Sequence, residues 1–400
     1  MTDTALGSPQ ARTAVSTTYP VLLAISLSHL LNDMMQSMLS AIYPMLKTEF
    51  ALEFWQIGLL TFTFQVTASL LQPVVGIVTD RRPMPYSLPV AMMATMCGLG
   101  LLAYAPVYGL VVCGAGLIGI GSSVFHPEAS RVARAAAGGR FGMAQSVFQV
   151  GGNFGSATGP LLAAFIVLPF GRPSVAWFAL AALLGMLLLT AVSRWHARER
   201  LAAARRPAPA AGPALPRRTV QLSIAILIAL VFSKHVYMAS MSSYYTFFLI
   251  ERFGLGTQDA QKMLFLFLAA VAAGTVIGGP IGDRIGRRTV IWVSILGVLP
   301  FTLMLPYANL FWTGVLSVAI GVTLASAFPA IVVFGQELLP GRVGMVAGLF
   351  FGLAFGIAGI GAAALGVLAD ETGIVTVFRL CAFLPVLGIL TVFLPKLRTL

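Results

Sequence analysis

The hydrophobic positions of this chain fall into long, nearly unbroken runs and do not alternate with polar ones. A helix rises about 1.5 Å per residue and the hydrocarbon core of a bilayer is about 30 Å thick, so a spanning helix needs roughly 20 mostly apolar residues. Twelve runs meet that requirement: Val21 to Met45, Gln56 to Val78, Ser87 to Tyr104, Val107 to Glu128, Gly142 to Phe165, Val175 to Ser193, Val220 to Ile250, Met263 to Ile281, Val290 to Leu305, Phe311 to Gly335, Met345 to Val367 and Val375 to Phe393. A membrane-barrel strand would switch between polar and apolar at every second residue. The pattern therefore predicts an all-α polytopic membrane protein. The first twenty residues are polar and hold no cleavable apolar segment, so the first run is expected to direct insertion itself.

Composition strengthens this reading. Hydrophobic residues are 58% of the chain and charged residues only 10%, well under the roughly 25% of a soluble domain. The net charge of +12 would suit a nucleic-acid partner, but its placement suits a lipid bilayer instead. Arg81 and Arg82, Arg131, Arg134 and Arg140, the stretch Arg194 to Arg218, then Arg284, Arg287 and Arg288, and Arg342 all lie between an even-numbered run and the next odd one. The opposite loops hold only Lys47, Arg172, Arg252 and Lys262. Such asymmetry is the positive-inside pattern, which puts the basic loops and both termini of an inner-membrane protein in the cytoplasm. Cys97, Cys113 and Cys381 fall inside separate runs and read as small apolar packing residues, with no disulfide or metal framework.

The polar stretch Arg194 to Arg218, rich in Ala, Pro and Arg, divides the chain near its midpoint. It predicts a cytoplasmic linker at 196–219 between two six-helix bundles at 21–195 and 220–395, with cytoplasmic tails at 1–20 and 396–400. One offset places Phe50 on Phe253, Leu52 on Leu255, Phe62 on Phe265, Phe64 on Phe267, Gly76 on Gly279, Asp80 on Asp283 and Arg81 on Arg284. An offset one residue shorter places Gly139, Arg140, Gly142 and Met143 on Gly341, Arg342, Gly344 and Met345. Because each half holds six runs, the two copies share one orientation and form parallel repeats about an axis along the membrane normal.

The segment Gly279-x-x-x-Asp283-Arg284-x-Gly286-Arg287-Arg288 resembles the loop signature of the major facilitator superfamily; its first-half copy, Gly76-x-x-x-Asp80-Arg81-Arg82-Pro83, departs after the first Arg. The stretches SLSHLLNDMMQS, SSVFHPEASRVAR, SVFQVGGNFGSATGPLLAA and FSKHVYMASMSSYYTFF, and most of the remaining chain, resemble the bacterial fosmidomycin-resistance proteins. That resemblance implies a major facilitator fold and a proton-driven exporter of small molecules such as fosmidomycin, a phosphonate anion.

The polar residues within the runs are the candidates for chemistry. His29, Asn32, Asp33, Gln36, Ser40 and Tyr43 recur on one side of the first helix. Asp33 lies about 18 Å beyond Val21 along that helix, within the hydrocarbon thickness, where an anion is costly and ionisable residues are functional by default. It is the leading proton-coupling candidate, with His29 beside it; the competing reading is a structural Asp held by Asn32 or His29. Lys234 is similarly deep in the seventh run. A pair with Asp33 and direct pairing with an anionic substrate are both compatible with that depth. His235, Tyr237, Tyr244 and Tyr245 would add donors, or act as packing and interfacial anchors. Gln149 and Asn153 continue a stripe from Gln145 and suit hydrogen bonds to a polar solute. His126 and Glu128, at the expected end of the fourth run, form either a proton relay or a solvated pairing site. Gly114 to Gly121 lacks the Arg common midway along this span in proton-coupled relatives.

Two further sets are structural. Gly151, Gly155 and Gly159, ending at Pro160, and Gly274, Gly278 and Gly282 are four-residue repeats that permit close helix approach; the resemblance sets these two helices against each other between the halves. Asp80 and Asp283 are expected to cap helix N-termini: Asp283 at the start of the fifth run and Asp80 at the start of the eleventh, a cytoplasmic latch joined by Arg81, Arg284, Arg287, Arg140 and Arg342. The sequence shows no metal-ligand spacing, nucleotide loop or nucleophile–base arrangement of an enzyme. A monomeric proton/solute antiporter without cofactor is expected, with a metabolite importer or symporter of the same fold as the nearest alternative.

Overall fold

The computed structural model describes residues 16–204 and 215–397. Parts of the tails expected at 1–20 and 396–400 and of the linker expected at 196–219 lie outside the described residues. Among the described residues every regular element is helical. Helix α1 spans Tyr19–Ala41 and continues after a break at Ile42 as Tyr43–Glu49. Eleven helices that are long and apolar enough to cross a membrane follow: α2 Trp55–Arg81, α3 Ser87–Tyr104, α4 Tyr108–Ala136, α5 Phe141–Phe170, α6 Arg172–Ala202, α7 Arg217–Phe253, α8 Lys262–Ile285, α9 Arg287–Tyr307, α10 Leu310–Leu338, α11 Val343–Thr372 and α12 Ile374–Phe393. Helix α1 is not among the eleven because His29, Asn32, Asp33 and Gln36 interrupt its apolar surface; all four are buried. The predicted ends move outward in α4, which runs past Glu128, and in α6, which runs past Ser193. Arginine is a good helix former, so Arg131 and Arg134 carry α4 on beyond the apolar run.

Helices α1 and α5 pack closely in the first half, as do α3 and α4, while α8 packs on α10 and α7 on α11 in the second. The halves meet where α5 crosses α8 and α2 crosses α11, with α4 also against α11. Glycine makes these crossings possible. A Cβ on Gly142 would meet the Gly279 carbonyl at 2.6 Å, and one on Gly76 would strike the backbone of Gly344. Pro73 leaves the Ser69 carbonyl without its helical donor, in a stretch of α2 that widens to π geometry over Val66–Leu70. Gly352 of α11 packs directly on that carbonyl.

The two glycine repeats do not hold the halves together. Gly151, Gly155 and Gly159 face α1, where added Cβ atoms would strike Ser26, Leu30 and Ser37, all in the same half. Gly274 and Gly278 face Val322 and Ser326 of α10, and Gly282 meets only Val290 at an ordinary 3.5 Å. With no hydrophobic drive between helices in lipid, the closest backbone approach wins the small residues, and that approach lies inside each bundle. Pro160 sits just before the second π stretch, Ala163–Val167. Cys381 is buried, whereas Cys97 and Cys113 lie on the exposed surface, so only the first acts as a packing residue.

Candidate functional site

The polar side of α1 points inward, and its helical spacing gathers three groups around Asp33. Asn32 Nδ2 donates to Asp33 Oδ1 at 3.0 Å and Gln36 Nε2 to the same oxygen at 3.4 Å. His29 Nε2 lies 3.3 Å from Oδ2, one helical turn before it. The fourth partner comes from α4: His126 Nε2 is 3.4 Å from Oδ1. Gln36 in turn accepts from Ser122 Oγ at 3.0 Å, tying α1 to α4. The cluster fits only because residue 152 of α5 is glycine; a Cβ there would strike the His29 ring and come within 2.9 Å of Asp33 Oδ2.

Both rings are held in one tautomer. His29 Nδ1 is 2.7 Å from the Phe148 carbonyl and His126 Nδ1 is 3.0 Å from that of Ser122. A carbonyl only accepts, so each Nδ1 carries hydrogen and each Nε2 is turned to the carboxylate. His29 stacks on Phe148 with ring centres 4.1 Å apart. His126 reaches across the halves, its ring 5.3 Å from Phe351 and 5.1 Å from Phe355 of α11. Beside this cluster lies a cavity of about 290 Å³ whose wall includes Asp33, Gln36, Tyr43, Gln65 and Phe355. Gln65 closes one side by donating to the Phe355 carbonyl at 3.1 Å.

Other sequence candidates are placed differently. Glu128 turns away from His126 and pairs with Arg131 at 2.7 Å, because positions two apart on a helix face different sides. Lys234 is buried, yet it does not meet Asp33, and no carboxylate among the described residues lies within ion-pair distance. Its ammonium sits 5.2 Å from the centre of the Phe328 ring, which His235 approaches edge-on. His235 Nδ1 is satisfied by the Val231 carbonyl at 2.9 Å. The tyrosines pack. Tyr237 is fully buried, Tyr244 donates to the Ala362 carbonyl of α11 at 2.6 Å, and Tyr245 lies stacked with Phe248. On α5, Gln149 reaches Asn153 at 3.5 Å, and Asn153 crosses to Thr275 of α8 at 3.3 Å.

At the basic-loop face the halves are joined by carboxylate caps. Asp283 accepts from the backbone nitrogens of Gly142 and Met143, both at 2.8 Å; Asp80 accepts from Gly344 at 3.0 Å and Met345 at 2.8 Å. Each aspartate thereby satisfies free donors at the N-terminus of a helix in the other half. Arginine completes each cap differently. Arg131 of α4 lies 2.6 Å from Asp80, while Arg287 lies 3.1 Å from Asp283 and 3.4 Å from Glu337. Arg81, Arg284 and Arg342 are exposed and, among the described residues, take no part, while Arg140 donates to the Tyr19 hydroxyl instead. Arg131 and Arg134, which bonds Gln336 across the halves at 3.2 Å, are the contacts missed by aligning repeats. Neither has a counterpart in the other half, so internal similarity gave no signal for them.

The model of the Major Facilitator Superfamily matches residues 25–360 and 257–399. The chain belongs to that superfamily. It is 61% identical over 393 residues to the "Fosmidomycin resistance protein" of Escherichia coli (strain K12), covering 98% of this chain and 97% of that one. It is 42% identical over 386 residues to "Uncharacterized MFS-type transporter YfnC" of Bacillus subtilis (strain 168), covering 95% and 94%. Among solved structures, FucP in the outward conformation superposes with a TM-score of 0.73 at 15% identity, over 95% of this chain and 99% of that one. The human organic anion transporter MFSD10 gives 0.72 at 19%, over 94% and 99%. This is a multi-pass membrane transporter of the major facilitator fold, and its relatives are transporters and not enzymes.

Proposed function

We propose that this transporter exports a small polar or anionic drug such as fosmidomycin from the bacterial cytoplasm in exchange for protons. The observation that carries the reading is the placement of Asp33: buried, about 21 Å along α1 from Tyr19, held by two histidines, and in the wall of a cavity between the halves. A carboxyl group at that depth, with His29 and His126 against it, exchanges protons with the cavity. His126 also touches Phe351 and Phe355, so the charge on its ring bears on how the halves pack, through attraction of a cation to an aromatic face. The kinship with a fosmidomycin resistance protein supports the substrate class.

The bundles at 21–195 and 220–395 rock about this cavity as a monomer in the inner membrane, with basic loops and termini in the cytoplasm. Asp80, Arg131, Asp283 and Arg287 latch the cytoplasmic side, and the cavity then opens outward. Lys234 is the counter-charge for the anionic substrate, with His235, Asn32, Gln36, Gln149 and Asn153 as its polar surroundings. Drug uptake into inverted vesicles under an imposed proton gradient tests the reading. Active accumulation is expected in the parent and loss to background in Asp33→Asn. A gradient that drives no accumulation, and that substrate does not dissipate, sinks antiport; equal activity in Asp33→Asn removes the proton site.

A further inference from the structure

The cluster around Asp33 has a feature that hydrogen bonding does not account for. His29 Nε2 and His126 Nε2 are buried, each within 3.4 Å of the Asp33 carboxylate, yet among the described residues neither makes a well-aligned hydrogen bond. Their Nδ1 atoms are committed to the carbonyls of Phe148 and Ser122. In neutral rings both Nε2 atoms therefore carry lone pairs, and these face a third acceptor. All three ligating atoms lie within 4.8 Å of one another. Such an arrangement of donor electron pairs lacks a cation.

We infer that His29, Asp33 and His126 form a binding site for a late first-row divalent metal, zinc above all. Four ligands about 2.0–2.1 Å from zinc stand about 3.3 Å apart at tetrahedral angles; His29 Nε2 lies 3.3 Å from Asp33 Oδ2 and His126 Nε2 3.4 Å from Oδ1, so each imidazole meets its own carboxylate oxygen and small side-chain movements would close the set on an ion. Imidazole and carboxylate suit zinc, cobalt and nickel, whereas magnesium and calcium favour all-oxygen sets. The supporting shell is that of a metal site. Each ring donates its other nitrogen to a backbone carbonyl, which fixes the tautomer that binds metal, while Asn32 and Gln36 orient the carboxylate. Three protein ligands leave one position open, and Asp33 and Gln36 border the cavity through which an ion and its water would arrive. Zinc occupying the site would halt transport; this consequence alone rests on the proton-coupled reading, while binding itself does not.

The test uses the full-length protein in nanodiscs with its affinity tag removed, titrated with cobalt(II) and then zinc(II). One saturable cobalt site with the strong visible absorption of low-coordinate cobalt, displaced by zinc and indifferent to millimolar magnesium, is expected. His29→Gln and His126→Gln should each weaken it at least about tenfold, and zinc should raise the melting temperature of the parent but not of these variants. His196→Gln, a buried histidine outside the cluster, should bind as the parent does. Absence of a saturable site in the folded parent overturns the inference. So does undiminished binding in both His29→Gln and His126→Gln, or loss of binding in His196→Gln. Zinc binding by a protein that moves no protons would keep this inference and discard the coupling one.

Discussion

Asp33 of α1 and Lys234 of α7 stand on corresponding helices of the two halves, and their surroundings differ in kind. The carboxylate has two histidines, Asn32 and Gln36 within 3.4 Å. The ammonium has the face of Phe328. A buried charge without a partner is expensive, and a neighbouring ring offsets only part of that cost. The first half thus surrounds its buried carboxylate with polar side chains of its own, while the second sets its ammonium against an aromatic ring. Duplication supplied a common frame, and the exceptions to it are the two places where the proposed function puts the proton and the anionic solute.

Lys234→Ala breaks this comparison most sharply. Removing one member of a buried charge pair costs about 2–5 kcal/mol, so the KM for an anionic drug should rise at least about 30-fold, since 1.4 kcal/mol is a factor of about ten. A neutral substrate of similar size should be affected far less. An equal loss for neutral and anionic substrates in vesicle uptake would show that Lys234 serves packing alone.

Gly152→Ala tests the other side. The new methyl would enter the space of the His29 ring, and overpacking of this kind costs about 1–3 kcal/mol. We expect a lowered melting temperature in detergent together with loss of gradient-driven uptake, because His29 cannot keep its place beside Asp33. Retention of parental stability and uptake would mean that the cluster is looser than its contacts imply.

How much of this the sequence revealed depends on how local each feature is. Run lengths yielded the helices, and the α1 seam was legible because positions three and four apart share a face. Repeat alignment pointed to Asp80 and Asp283, whose backbone donors lie at the repeated Gly-Met pairs of α5 and α11. His126 beside Asp33 was not legible. Its approach depends on the crossing of α1 and α4, and no periodicity records the contact of residues so far apart in the chain. The glycine stripes show the same limit: spacing announces a close approach without saying to which helix. Tyr244 and Tyr245 sit one residue apart from each other near cavity-side candidates in sequence, yet both turn into helix packing.

The latches should respond unequally. Asp80 has Arg131 at 2.6 Å and Asp283 has Arg287 at 3.1 Å, besides two backbone donors each. Replacing either by Asn keeps the shape and removes the charge, and a neutral hydrogen bond is worth about 1 kcal/mol less than one to a charged group. Transport should fall about three- to tenfold, more in Asp80→Asn than in Asp283→Asn, with the protein still folded. Unchanged uptake in both would sink the latch, and a larger loss in Asp283→Asn would reverse the ranking drawn from the arginines.

The smallest effect should come from Tyr245→Phe. The hydroxyl is 3.5 Å from the Thr313 carbonyl, at the limit of a hydrogen bond, and the ring is fixed by Phe248, Phe267 and Phe378 rather than by that contact. Removing one oxygen leaves the ring and its packing in place, so stability should change by less than about 0.5 kcal/mol and KM should stay at the parental value. A several-fold rise in KM without loss of stability would place the hydroxyl on the substrate path. The second half would then contribute a donor on the same helix as Lys234, about 16 Å further along it, and the contrast between the two halves would deepen.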